Sequence, residues 1–130
     1  MITTGEHEYT RYGFKQLLLR DAADVLQPDV TWVGGLTECR RIVAMASAWD
    51  IPVIPHGSSV FSYHMQLAFP SCPRAEYLVM SAKADTLVPV FGDLFDSEPL
   101  PNKGFIDVPD KPGWGVSLNH ALQLRRPYKH

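Results

Sequence analysis

The chain has 130 residues, 45% of them hydrophobic and 20% charged, with 11 prolines and 9 glycines, the make-up of an ordered domain or a piece of one and not of a disordered segment. Twelve basic residues against 14 acidic ones give a formal charge of −2, and the basic residues cluster no further than Arg40-Arg41 and Arg125-Arg126, which argues against a nucleic-acid surface. Apolar runs stay far below the roughly 20 residues that cross a bilayer, so neither a membrane span nor a signal peptide is expected.

Short apolar segments alternate with helical patterns, the signature of strand-helix units around a parallel sheet. Ile2-Thr3-Thr4 reads as a strand end, followed by a polar loop from Gly5 to Glu8 and a helix carrying Phe14, Leu17 and Leu18 that ends near Ala22. Val25-Leu26-Gln27 is the second strand, stopped by Pro28. After Gly34-Gly35, Thr37 is the expected N-cap of a helix whose face is Ile42, Met45, Ala46 and Trp49. Ile51-Pro52-Val53-Ile54 makes a third strand, Pro55-His56-Gly57-Ser58-Ser59 its loop, and a helix runs from about Val60 to Phe69 with a serine of that loop as its cap. Tyr77-Leu78-Val79-Met80 is the fourth expected strand, with Glu76 at its start. Trp32 and Trp49 are expected to pack inside.

From Asp85 the pattern changes: Pro89, Pro99, Pro101, Pro109, Pro112 and Pro127 punctuate the chain and helical periodicity is lost. An extended tail over 85–130 is expected, with short strands at Gly104 to Val108 and Gly115 to Leu118 on either side of a Pro112-Gly113 turn. The partial barrel is expected over 1–84. Cys39 and Cys72 lack metal-ligand spacing and suit a reducing cytoplasm.

In parallel strand-helix folds, reactive side chains gather just past the carboxyl ends of the strands. Glu6, Asp29 and His56 follow three successive strands, and Glu76 adjoins the fourth. Four acid-base groups at such positions point to one convergent site. From residue types alone, ordinary roles stay open: Glu6 as a loop acid, Asp29 as a turn residue after proline, His56 as a structural loop histidine, and Glu76 as a surface acid paired with Arg74 or Lys83.

The segments Gly5-Glu6-His7-Glu8, Gln27-Pro28-Asp29-Val30, Gly34-Gly35-Leu36-Thr37-Glu38, Pro55-His56-Gly57-Ser58-Ser59 and Pro112-Gly113-Trp114-Gly115-Val116, in this order, resemble the enolase superfamily, mandelate-racemase subgroup. The resemblance implies an α/β fold: the C-terminal half of a (β/α)8 barrel, about four strand-helix units, strands five to eight of the family, followed by a Pro-rich extended tail. It implies Mg²⁺ with Glu6 as a carboxylate ligand, His56 as general base, Asp29 as the partner of its ring, and Glu76 as an acid donating a hydrogen bond to the substrate carboxylate. His7 and Ser58 take substrate-binding roles by the same likeness. The implied reaction is dehydration of an acid sugar, a six-carbon deoxy aldonate such as L-rhamnonate, by abstraction of the proton α to the carboxylate, with the enediolate held by metal and hydrogen bonds. The family's capping domain and four earlier strands have no counterpart in the chain, so a truncated product, or a second chain that supplies the missing half, is expected. A half barrel exposes sheet edges, so a homo-oligomer or an association-prone chain is expected as well. Two other readings compete: a catalytically inactive half-barrel remnant that only assembles with other subunits, and an unrelated divalent-metal lyase or hydrolase with Glu6, His7 and His56 as ligands.

Overall fold

Two-residue apolar or β-branched segments set between polar loops are enough to start a parallel sheet when a helix returns the chain between them. In the computed structural model, which describes residues 1–123, β1 (Thr3–Thr4) pairs in parallel with β2 (Val25–Leu26), Thr3 opposite Val25 and Thr4 opposite Leu26. Leu26 bridges Val53 in the same sense, and the Ile54 N–H donates to the Leu26 carbonyl at 2.9 Å. The expected third strand shrinks to this one bridge because Pro52 and Pro55, on either side of it, have no N–H to give a ladder.

Helix α1 (Thr10–Leu19) joins β1 to β2, and α2 (Gly35–Ser47) joins β2 to the Val53 segment; α3 (Val60–Ala68) follows the His56 loop. The N-cap of α2 is Gly34, not Thr37: at φ 115° Gly34 takes the left-handed turn into the helix, which therefore starts two residues before Thr37. At α3 the N-cap is Ser59, which makes no side-chain cap bond; the neighbouring Ser58 hydroxyl is engaged by other groups described below.

Tyr77 to Met80 forms no strand. The neighbour of Val53 is instead Ser71, whose carbonyl accepts the Val53 N–H at 2.9 Å. That one hydrogen bond leaves Glu76 five residues downstream of Ser71, on the His56 side of the sheet, the end opposite to the one a strand starting at Tyr77 implies.

One core lies between the helices and the sheet: Phe14 and Leu18 of α1, Cys39, Ile42, Val43 and Ala46 of α2, Met65 of α3, with Leu26, Val30, Val33, Val53 and Cys72. The expected helix stripes supply Phe14, Leu18, Ile42 and Ala46, with Leu17 and Met45 partly buried against them. Both tryptophans depart from expectation: Trp32 is 50% exposed and Trp49 lies outside α2 and is also exposed, since each sits where a helix meets a loop.

The chain divides into Met1–Leu78 and Val79–His130, whereas the expected boundary followed residue 84. In the second unit a 3-10 turn spans Gly92–Leu94, and the buried Glu98 carboxylate accepts the N–H groups of Val90 (2.9 Å) and Phe91 (3.1 Å). The two expected strands appear only as isolated antiparallel bridges, Asn102 to Phe105 and Phe95 to Leu118. The end of the expected tail, with Arg125, Arg126 and Pro127, lies outside the described residues.

Candidate active site

The loops after β1, β2 and the Val53 bridge all leave the same end of the sheet, as parallel pairing requires. Gly5 makes the first exit possible. Its φ is 125°, and a Cβ there would stand 2.6 Å from Phe14 Cε1 and 3.3 Å from the Gln27 nitrogen. The Glu8 N–H then closes a turn onto the Gly5 carbonyl at 3.0 Å and leaves Glu6 at the tip. The third exit is anchored by the His56 N–H, which donates to the Pro28 carbonyl at 3.0 Å.

His56 stands at the centre. Its Nε2 lies 3.1 Å from Glu6 Oε2, and its Nδ1 lies 2.7 Å from Glu76 Oε2. The same Glu76 oxygen accepts the Gly57 N–H at 2.7 Å, and Gln27 Nε2 donates to the other at 3.4 Å. Three segments separated by up to 70 positions thus bring two carboxylates to one imidazole. Glu76 thus accepts the Gly57 N–H and the Gln27 amide and stands against the His56 ring, where the resemblance expected an acid facing the substrate carboxylate.

Asp29 corrects a second expectation. Its Oδ1 accepts from the Thr31 N–H (2.8 Å), the Thr31 hydroxyl (2.7 Å) and the Ser58 hydroxyl (2.8 Å), while the imidazole nitrogens are taken up by the two glutamates. A short acid after proline satisfies its own turn first, which is why the ring finds other carboxylates. Ser58 is 2% exposed; its oxygen accepts the Val30 N–H at 3.1 Å and stands 2.7 Å from the His56 carbonyl as well as near Asp29. The expected substrate contact at Ser58 is therefore a buried brace, through which Asp29 reaches the main chain of His56 and not its ring. Glu76 finds neither Arg74 nor Lys83 among its described contacts.

His7 is exposed, with Nδ1 3.7 Å from Glu6 Oε1 and its ring 5.4 Å from that of Trp32, which stacks in turn on Tyr9 at 6.0 Å. A cavity of about 260 Å³ opens beside Glu6 and is lined by Thr4, Gly5, Glu6, His7, Glu8 and Leu17. Mg²⁺ prefers six oxygen ligands in near-octahedral geometry. Glu6 can offer one, yet its Oε2 is engaged by His56, and among the described residues no group of three His, Cys, Asp or Glu is arranged to hold a metal. The residues present do not make a complete Mg²⁺ site, and the same finding leaves Glu6, His7 and His56 without the grouping that the competing metal-lyase reading needs.

Glu38 carries the largest set of charged contacts in the unit and had no role in the sequence reading. Arg11 Nη1 donates to Oε1 at 2.7 Å and Oε2 at 2.8 Å, the Arg11 N–H donates to Oε1 at 2.9 Å, and Arg41 Nη1 donates to Oε2 at 3.0 Å. These bonds, that from the Arg11 main chain foremost, hold the Glu38 carboxyl below the usual glutamate range, and the Arg11 guanidinium is raised in return. The i, i+3 pair with Arg41 was legible as a helix-surface pattern; Arg11 was not.

A family model described as enolase C-terminal domain-like matches residues 1–122. The L-rhamnonate dehydratase of Saccharopolyspora erythraea is 48% identical over all 130 residues, which cover 33% of that relative. Among solved structures, rhamnonate dehydratase from Gibberella zeae complexed with Mg is similar at 50% identity and TM-score 0.88, over 92% of this chain and 30% of that one. An enolase from Agrobacterium radiobacter, a putative galactarate dehydratase bound to Na and L-malate, aligns at 28% identity and TM-score 0.76, over 97% of this chain and 38% of that one. The chain spans about a third of the length of the relatives it matches.

Proposed function

We propose, from the premise that this chain belongs to the enolase C-terminal domain-like family, that it is the carboxyl-terminal part of a Mg²⁺-dependent acid-sugar dehydratase that converts L-rhamnonate to 2-keto-3-deoxy-L-rhamnonate and water. Residues 1–84 then stand for strands five to eight of a (β/α)8 barrel, and 85–130 for its tail. Support comes from the relatives named above and, on this chain, from one observation: an imidazole held between two carboxylates, beside the loops that leave β1 and the Val53 bridge.

In this reading His56 is the base. Its Nδ1 hydrogen bonds to Glu76, which fixes the tautomer and leaves the Nε2 lone pair for the substrate once Glu6 turns away. The C–H bond α to the carboxylate breaks, its proton passes to Nε2, and the electron pair moves into the carboxylate as an enediolate. That pair then expels the β-hydroxyl, which takes the proton from His56 and leaves as water; the enol becomes the 2-keto acid. Glu76 orients the base, Asp29 and Ser58 hold its loop, and His7 lies at the entrance. Mg²⁺, were it bound in the whole enzyme, would supply positive charge next to the substrate carboxylate. Glu6 is the residue of this chain that would enter its shell, with the remaining ligands from substrate and from outside the chain. A small-molecule acid sugar is the substrate class, and the cytoplasm suits two free, buried thiols.

The chain joined to the complementary barrel half, given Mg²⁺ and L-rhamnonate, is expected to release 2-keto acid detectable with semicarbazide. His56→Asn is expected to lower the rate at least about 10³-fold, the scale of a lost general base. Unchanged turnover in that variant defeats the assignment. No 2-keto acid from the wild-type assembly favours the second reading, a remnant whose role is assembly alone.

A further inference from the structure

Helix α1 has Tyr9 as its N-cap, with no side-chain cap bond, and its first turn holds no acid; the preceding Glu8 accepts the Tyr9 N–H through Oε1 at 2.9 Å, which leaves the N–H groups of the turn itself to other partners. Four N–H groups at a helix start need partners, and the dipole there favours negative charge. The carboxylate that meets this need comes from the other helix. Glu38, in the first turn of α2 and 8% exposed, accepts the Arg11 N–H and grips the Arg11 guanidinium with both oxygens. Arg11 is itself held in place, with Nη2 2.9 Å from the Tyr12 hydroxyl. One carboxylate therefore serves the starts of two helices. Those helices begin where the site loops end: residues 5–9 carry Glu6 and residues 27–34 carry Asp29, and the Thr10 N–H donates to the Val33 carbonyl at 3.1 Å between them.

We infer that Glu38 is a positioning residue of the site: by clamping the start of α1 to the start of α2 it fixes the Glu6 loop against the Asp29 loop and so sets where Glu6 meets His56. Its relevance to catalysis rests on the dehydratase reading, but the contact it controls does not.

The test is nitrogen NMR of the full chain, with Glu6→Gln as the reference for a lost contact at His56 Nε2. Glu38→Gln keeps the shape and removes the charge, and it is expected to move the His56 Nε2 resonance more than half of the way to its position in the reference. Arg41→Ala, which removes only the outer bond, is expected to leave it in place. A Glu38→Gln chain that melts earlier yet keeps the wild-type Nε2 signal overturns the inference, because Glu38 is then structural only. If Glu38→Gln loses the fold, Arg11→Lys decides: it retains the charge and the main-chain bond but not the two-oxygen grip. A smaller shift in the same direction supports the inference, and an unmoved signal overturns it. None of these readings needs turnover, so an inactive assembly with a responsive Nε2 signal defeats the dehydratase reading and leaves this one standing.

Discussion

At Glu38 the hydrogen bonds from Arg11 and Arg41 all favour the ionised carboxylate, which is why its pKa falls. A carboxyl whose folded-state pKa lies below its unfolded value stabilises the fold above the unfolded value, and that contribution disappears as the pH falls through the folded one. Glu38→Gln is therefore expected to melt well below wild type at neutral pH, with the gap closing only at acid pH below the ordinary glutamate range, where the wild-type carboxyl protonates. Thermal melts of both chains by circular dichroism from neutral to acid pH check it; a gap independent of pH contradicts the charge-based account. The buried thiols behave in the opposite sense: loss of solvent pushes Cys39 up to about 12 and Cys72 up to about 11, so both stay protonated and inert near neutrality.

At the scale of elements, the short strands owe their direction to the turns that leave them. Gly5 turns the chain out of β1 over the face of Phe14, in a conformation and a space that refuse a side chain. Gly5→Ala is expected to cost about 2 kcal/mol or more, from backbone strain together with overpacking against a buried ring, and to lower Tm by roughly 10 °C at this size. Gly35 has φ +83° but open space where a Cβ would go, so Gly35→Ala is expected to cost only the strain, about 1 kcal/mol. Equal losses in the two variants contradict the packing half of the account. Helix positions were legible from the apolar stripes Phe14-Leu18 and Ile42-Ala46, because a 3.6-residue period survives in any context. The fourth strand was expected at Tyr77 to Met80 because that segment is apolar, and apolarity alone does not distinguish a strand from a half-buried extended segment.

For the molecule as a whole, β1 has β2 on one side and no second strand neighbour among the described residues. An unpaired strand edge invites another chain, and Met1 and Ile2 beside it are exposed. The chain alone is expected to self-associate in sedimentation velocity at micromolar concentration and to become monodisperse when the complementary barrel half is added. A monodisperse, cooperatively melting monomer contradicts this.

What the amino-acid order determined alone is local or ordered along the chain: the helix stripes, the alternation of strand and helix, and the succession of Glu6, Asp29 and His56 after parallel segments. Those follow from periodicity and from the rule that parallel strands end on one side. Which carboxylate meets which ring nitrogen was decided only in three dimensions. Asp29 was drawn to its own turn and to Ser58, Glu76 to the His56 ring and the Gly57 N–H, and Glu38 met Arg11 across two helices. Hydrogen-bond choice depends on angstrom distances between segments far apart in the chain, and no spacing along it encodes them.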